Sequence, residues 1–276
     1  MHSEDNSIQL RGGLGKAERE VLAVLASLER PSIGLNDVLA ARSMSRPAAN
    51  LILSRLARKG WLQRLRRGAY SVVPLSSASA TPPLESPLAV AMHLFAPCYI
   101  SGWSAAEHWG LTDQIFNAVA VFSARPQRRG TQQVAGVTYR VRRVRRESIF
   151  GTTRVWVASA AIEMADIHRT VIDVLDAPEM GGGGRHALDI VRAYWARSDA
   201  DPDRLLQYAL RLGRGTVFKR LGLTAERYGK TDAAWRQACR DHLSAGISLL
   251  DPAGPARGPI VSRWRLRLNI PAEPTA

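Results

Sequence analysis

Residues 43–73, SMSRPAANLILSRLARKGWLQRLRRGAYSVV, decide how the chain is read. The Ser43-Met44-Ser45 break offers N-cap hydroxyls, Pro47 suits a first helical turn, and Gly60 stands where a helix ending at Lys59 would stop. The spacing between these signals predicts a helix with Ala48, Leu51, Ile52 and Leu56 facing inward. Beyond it, residues 61–65 and 69–73 alternate as strands around Arg66-Arg67-Gly68, a hairpin with arginines at its tip. Working back toward the N-terminus, residues 16–29 place Ala17, Val21, Leu22, Leu25 and Leu28 on one stripe, Pro31 follows, and a shorter helix fits residues 35–42. Three small helices closed by a hairpin make the winged helix-turn-helix pattern, whose third helix enters the DNA major groove while the wing lies along the backbone or minor groove.

The charges in this stretch agree with that placement. Ser45, Arg46 and Asn50, at the start of the third helix, are assigned to reading the operator's bases; Arg46 and Asn50 lie off the expected apolar face, and Arg and Asn side chains can pair bidentately with guanine and adenine edges. Arg55, Arg58 and Lys59 come later in the helix, and Arg64, Arg66 and Arg67 lie on the wing. These six are assigned to phosphates, contacts that position a protein on DNA without specifying sequence. The competing reading is a winged-helix protein-interaction module whose arginines are merely solvated.

The rest of the chain bounds the answer. At 276 residues it has the length of roughly two domains, at about 150 residues each. Hydrophobic residues make up 46 % of it and mean hydropathy is -0.14, which excludes a disordered chain. Lys and Arg number 38 against 24 Asp and Glu, for a net charge of +14 and a pI near 10.9, and 34 of the basic residues are arginine. Such a balance points to a polyanionic or acidic partner. Residues 1–75 hold twelve Lys/Arg and six Asp/Glu, so +6 sits on them and +8 on the remainder. Two cysteines, Cys98 and Cys239, make no disulfide framework and no zinc motif. With a polar N-terminus and no apolar run of membrane-spanning length, the expected location is the cytoplasm, with no membrane partner.

Composition breaks at the proline- and serine-rich stretch PLSSASATPPLESP, residues 74–87. The expected organisation is a winged helix over residues 1–75, a linker over 76–87, and a larger domain over 88–276. In that domain strands fit residues 99–100, 117–122, 137–144 and 155–157, helices fill most of 166–243, and a last strand fits 261–270. The fold class is therefore α+β, with an antiparallel or mixed sheet and a helical segment. Two of these strands alternate arginine with apolar residues, so that Arg140 and Arg142 share one face, as do Arg263, Arg265 and Arg267. If the strands are neighbours they present a basic plate, a docking face for an acidic protein or more nucleic acid; otherwise they are solvated or guarded edges.

Catalytic signals are weak. Gly181-Gly182-Gly183-Gly184 lacks the Lys-Ser/Thr of a phosphate-binding loop and reads as a flexible connector. Glu107 with His108, and His168 between Asp166 and Asp173, have no ligand spacing specific to a metal, and Asp166 reads as a helix cap. The expectation is a protein that is not an enzyme, with no cofactor, no metal site and no catalytic residue.

Three further stretches carry a resemblance: Tyr99-Ile100-Ser101-Gly102-Trp103-Ser104-Ala105-Ala106-Glu107-His108-Trp109-Gly110-Leu111; Asp166-Ile167-His168-Arg169-Thr170-Val171-Ile172-Asp173-Val174-Leu175; and the ending around Leu250-Asp251-Pro252, Arg263-Trp264 and Asn269. Together with the order of winged helix, linker and α+β domain, they resemble the AbiEi-type antitoxins of bacterial abortive-infection toxin–antitoxin systems (type IV), regulators of phage defence. The resemblance implies a repressor that binds double-stranded promoter DNA of its own operon through the winged helix. It also implies a C-terminal domain that counters a cognate nucleotidyltransferase-type toxin, by direct contact or without a stable complex. It transfers no base-contact residues. Two rival readings are a winged-helix regulator that senses a small ligand in its C-terminal domain, and a metal-dependent nucleic-acid enzyme using Glu107, His108, Asp166 or Asp173.

Overall fold

A computed structural model of the protein describes residues 11–75, 86–127, 129–157 and 160–270. The chain divides into two compact units, Met1–Leu94 with Gln132–Tyr139, and Phe95–Thr131 with Arg140–Ala276. Residues 76–85 of the stretch expected as a linker lie outside the described residues.

In the first unit, α1 (Lys16–Ser27) is followed by β1 (Ile33–Gly34), α2 (Leu35–Ala41), α3 (Arg46–Arg58), β2 (Leu62–Arg66), β3 (Ala69–Val72) and α4 (Pro87–Phe95). The three first helices bury Val21 and Leu25, Val38, and Ala49, Leu53 and Leu56 against Ile33, Leu62 and Tyr70, which forms one apolar core. β3 is the middle strand of a three-stranded sheet, antiparallel to β2 and also to the two residues of β1. That third strand was not foreseen. It draws the start of α2 against the hairpin turn, where a Cβ on Gly34 would sit 2.7 Å from the Gly68 carbonyl oxygen, so only glycine fits without a shift. Gly68 itself takes φ +77 in the two-residue turn.

The inward face of α3 differs from the expected one. Ala48 is half-buried, and Leu51 is 50 % exposed, whereas Ala49 and Leu53 are in the core with Leu56. Two phases fit the apolar residues at helical spacing, one residue and about 100° apart. The line 49, 53, 56 wins because it continues into buried Gly60 and packs against α1, α2 and β2.

The second unit opens with β4 (Cys98–Ile100), α5 (Gly102–His108) and β5 (Ala118–Ser123). The hairpin of β6 (Thr131–Val134) and β7 (Val137–Arg143) follows, then β8 (Thr152–Val157) and β9 (Ala160–Ala165). Of the strands wholly inside this unit the order is β5-β4-β9-β8. β4 is antiparallel to β5 and parallel to β9, and β8 pairs antiparallel with β9, so the sheet is mixed. Five helices come next: α6 (Ile167–Asp176), α7 (Gly184–Trp195), α8 (Pro202–Leu212), α9 (Gly215–Tyr228) and α10 (Ala233–Asp241). Their shared core centres on Val171, Val174, Ile190, Tyr194, Leu205, Val217 and Leu221.

Two expectations fail here. Residues 261–270 are not one strand: β11 (Ile260–Val261) gives way to a short 3-10 turn over Ser262–Trp264, Arg265 adopts φ +47, and only β12 (Leu266–Arg267) resumes. With β10 (Ser248–Leu249), β11 and β12 form a separate three-stranded sheet. The turn exists because Trp264 is fully buried against Gly222 of α9, where even a Cβ would overlap its ring. The arginine strands are therefore not neighbours, and the basic plate is not built. Nor is the glycine run a slack connector. Gly181 packs on Val174 and Ala187, Gly182 takes φ +88 against Phe116 and His186, and Gly184 starts α7 with its N–H donating to Asp251 at 3.2 Å.

Candidate nucleic-acid interface

The first unit sorts its own charges. Glu18 of α1 accepts from Lys59 Nζ at 2.6 Å and from the Gly15 N–H at 2.9 Å; Asp37 of α2 accepts from Arg30 at 2.7 Å and from the Gly34 N–H at 2.7 Å; and Glu20 pairs with Arg42. The hydrogen bond from Lys59, then that from Gly15, hold the Glu18 carboxyl below its usual range. Lys59 also donates to the Gly13 carbonyl at 2.8 Å. Its ammonium thus fastens the start of α1 to the end of α3, and it is not free to meet a phosphate.

Among the described residues, Arg46, Arg55, Arg58, Arg64 and Arg67 are exposed and form no ion pair. Arg46 and Asn50 sit one turn apart at the start of α3, and Arg58 lies near its end, on the surface turned away from the Ala49–Leu53–Leu56 line. Arg55 lies on the flank toward α1, where its charge helps hold Glu18 ionised. The Ser45 oxygen is engaged in the N-cap, accepting from the Ala48 N–H at 3.4 Å; the capping role suits the sequence signal, and Ser45 is accordingly set apart from Arg46 and Asn50 among the residues expected to read bases. On the wing, Arg64 and Arg67 are exposed, whereas Arg66 is half-buried and donates to the Leu94 carbonyl at the end of α4 at 2.9 Å. The expected phosphate set therefore divides: Arg55, Arg58, Arg64 and Arg67 present free guanidiniums, and Lys59 and Arg66 hold the module together.

The proposed docking arginines of the second unit are mostly engaged as well. Arg142 reaches Glu179 at 2.6 Å and Asp176 at 3.1 Å, Arg263 reaches Glu226 at 2.8 Å, and Arg267 donates to the Gly258 carbonyl at 3.0 Å. Arg140 and Arg265 remain exposed.

Of the residues weighed for catalysis, Asp166, His168 and Asp173 are held in hydrogen bonds within the second unit. Asp166 caps α6 through the Arg169 N–H at 2.7 Å and accepts from Tyr208 at 2.7 Å; His168 shares a 2.8 Å hydrogen bond with Tyr194. Burial holds His168 below the usual histidine pKa. Glu107 and His108 are exposed at the end of α5. Asp173 is fully buried, paired with Arg169 at 2.9 Å and accepting from Ser101 at 2.8 Å, and Arg169 in turn donates to the Tyr99 hydroxyl at 2.8 Å. Burial pushes the Asp173 carboxyl up against the pull of Arg169. Among the described residues no group of three or more His, Cys, Asp or Glu side chains is placed to hold a metal ion. The Cys98 and Cys239 thiols are buried and pushed up to about 12, too high for thiolate chemistry.

Sequence reasoning missed three sets of polar contacts that hold this unit together. The Tyr99–Ser101 and Arg169–Asp173 stretches meet in one buried network, although 70 or more residues apart in sequence. Asp251 and Asn269 exchange hydrogen bonds, the Asp251 N–H donating at 2.9 Å and the Asn269 amide at 2.8 Å. Arg220, buried in α9, donates to the carbonyls of Leu175, Leu249 and Leu250. The stretches that carried the family resemblance supply the first two, a signal that was present but not resolved into contacts.

Three helices with a capped, cationic third helix and a two-stranded wing define a winged helix-turn-helix fold. Residues 22–73, from within α1 to just past β3, match the family described as "Transcriptional regulator, AbiEi antitoxin". The antitoxin and regulator resemblance of this part of the chain thus has a direct match behind it. No curated protein matches the chain. Among solved structures, the crystal structure of the RV2827C protein from Mycobacterium tuberculosis is similar in fold, with a TM-score of 0.63 over 94 % of each chain at 15 % identity. No helix of the described residues is long and apolar enough to cross a membrane.

Proposed function

We propose that this protein is a cytoplasmic antitoxin that represses its own operon by binding promoter DNA through α3 and the wing. One observation carries the DNA-binding reading: Glu18, Glu20 and Asp37 are each neutralised by Lys59, Arg42 and Arg30, while Arg46, Arg58, Arg64 and Arg67 stay unpaired on α3 and the wing. A module that only bound an apolar protein partner would gain nothing from leaving these guanidiniums unpaired together. A duplex, with one charge per roughly 1.7 Å of axis, rewards it. Arg46 and Asn50 read base edges near the start of α3; Arg55, Arg58, Arg64 and Arg67 hold phosphates. The family match supports the antitoxin role, and the second unit is assigned to countering a cognate nucleotidyltransferase-type toxin. The reading needs no cofactor and no catalytic step.

The test is a reporter driven by the gene's own upstream region in a host lacking the gene. Supplying the protein in trans should lower expression, and Arg46→Ala with Asn50→Ala should relieve repression at equal protein level. Full repression by that variant would refute the assignment of α3. Co-expression with the adjacent gene product tests the antitoxin half: rescue of growth by the full chain is expected, and continued arrest overturns it.

A further inference from the structure

The outer face of α3 contains one residue that the charge argument does not explain. Pro47, Leu51, Ser54 and Arg58 recur at helical spacing and lie opposite the buried Ala49–Leu53–Leu56 line. Leu51 is at the centre of that row and is 50 % exposed, so its side chain is available to whatever this face meets. Its neighbours are Asn50 on one flank and Arg55 on the other, both exposed. An apolar side chain between polar and cationic ones, at the middle of a face directed at DNA, has one apolar partner on base edges in the major groove, the C5 methyl of thymine.

We propose that Leu51 is a specificity-determining residue that packs on a thymine methyl group, so that the sequence bound by α3 contains A·T pairs at its centre. This rests on the DNA-binding reading above. The adjacent Asn50 fits the same assignment, since its amide can pair bidentately with an adenine edge while Leu51 covers a thymine methyl on a neighbouring pair. Van der Waals contact with a methyl needs no charge and no salt. The contribution of Leu51 should therefore appear in the intercept of a salt titration and not in its slope, unlike that of Arg58.

The probe is the promoter fragment of this gene, amplified once with dTTP and once with dUTP, which differ in the major groove only by the thymine methyls. The full-length wild-type protein is expected to bind the dUTP fragment several-fold more weakly. Leu51→Ala is expected to bind both fragments equally, at about the wild-type affinity for the dUTP fragment, and to keep the wild-type melting temperature because the side chain is outside the core. An unchanged thymine-to-uracil ratio in Leu51→Ala would overturn the proposal, as would equal binding of both fragments by the wild type. Loss of folding in Leu51→Ala would overturn it by showing a core role. If the wild type bound neither fragment, the DNA-binding reading itself would fall; if it bound both equally well and with a steep salt dependence, that reading would stand while the role of Leu51 failed.

Discussion

Removing the Asp173 carboxylate should cost the second unit a large share of its stability. Arg169 and Asp173 are both about 1 % exposed. The guanidinium contacts one carboxylate oxygen through Nε at 3.0 Å and Nη2 at 2.9 Å, while Ser101 donates to the other at 2.8 Å. The Arg169 guanidinium also lies 4.1 Å from the centre of the Phe150 ring, so it has no route to water when its partner goes. Asp173→Ala strands a buried cation, a loss of about 3–5 kcal/mol, and orphans the Ser101 hydroxyl, about 1 kcal/mol more. Set against a typical stability of about 5–15 kcal/mol, that is a third or more, and corresponds to a melting point lower by roughly 10 °C or more. The paired replacement Arg169→Met with Asp173→Leu removes both charges at similar volume and should recover about 2 kcal/mol or more of the loss. Urea unfolding followed by circular dichroism measures both variants, with the midpoint read at constant slope. A wild-type midpoint in Asp173→Ala, or a double variant as unstable as the sum of the two single ones, would refute the buried-pair account.

Arg58→Ala and Arg67→Ala should each weaken promoter binding and lower the salt slope by about one unit, with melting unchanged; Arg66→Ala, whose guanidinium holds the Leu94 carbonyl, should change melting of the first unit more than the slope. Gly222→Ala drives a methyl into the Trp264 ring and should destabilise by about 1–3 kcal/mol, as for an overpacked core, measured by thermal unfolding. The His168 pKa is lowered by burial, so below pH 6.5 the unfolded chain binds the extra proton more readily than the folded one. Stability should thus fall as pH drops through 6.5 toward the folded pKa, and His168→Gln should flatten that part of a melting-temperature profile; an unchanged profile would contradict it.

The winged helix was legible because each element carries local signals: Ser45 and Pro47 start α3, and Gly68 sets the hairpin turn. The phase of α3 was not, since Ala48–Ile52–Leu56 and Ala49–Leu53–Leu56 both satisfy the helical period and only packing against α1, α2 and β2 separates them. The same ambiguity hid Leu51, whose exposure is a property of the fold. Charge was legible in amount and not in use. Arg58 and Lys59 are adjacent and alike in sequence, yet one is free and the other bonds Glu18 across 41 residues of chain. The arginine strand failed for a similar reason: alternation at Arg263, Arg265 and Arg267 is a strand pattern, and the demand of Trp264 for a buried place beside Gly222 breaks it into a turn. Long-range polar contacts, such as Ser101 with Asp173, leave no periodic trace at all.

The most direct test of the account is the dependence of promoter binding on salt. The logarithm of the association constant, plotted against the logarithm of salt concentration for the full-length protein on its own upstream duplex, should fall steeply. The triple variant Arg58→Ala, Arg64→Ala, Arg67→Ala should lose about 2.7 units of that slope, at about 0.9 per phosphate contact removed. The same triple substitution should leave thermal unfolding where it is, because none of the three arginines has an ionic partner among the described residues. A wild-type slope retained by the triple variant, or a wild-type protein whose affinity does not respond to salt, would contradict the claim that α3 and the wing are the DNA-binding face.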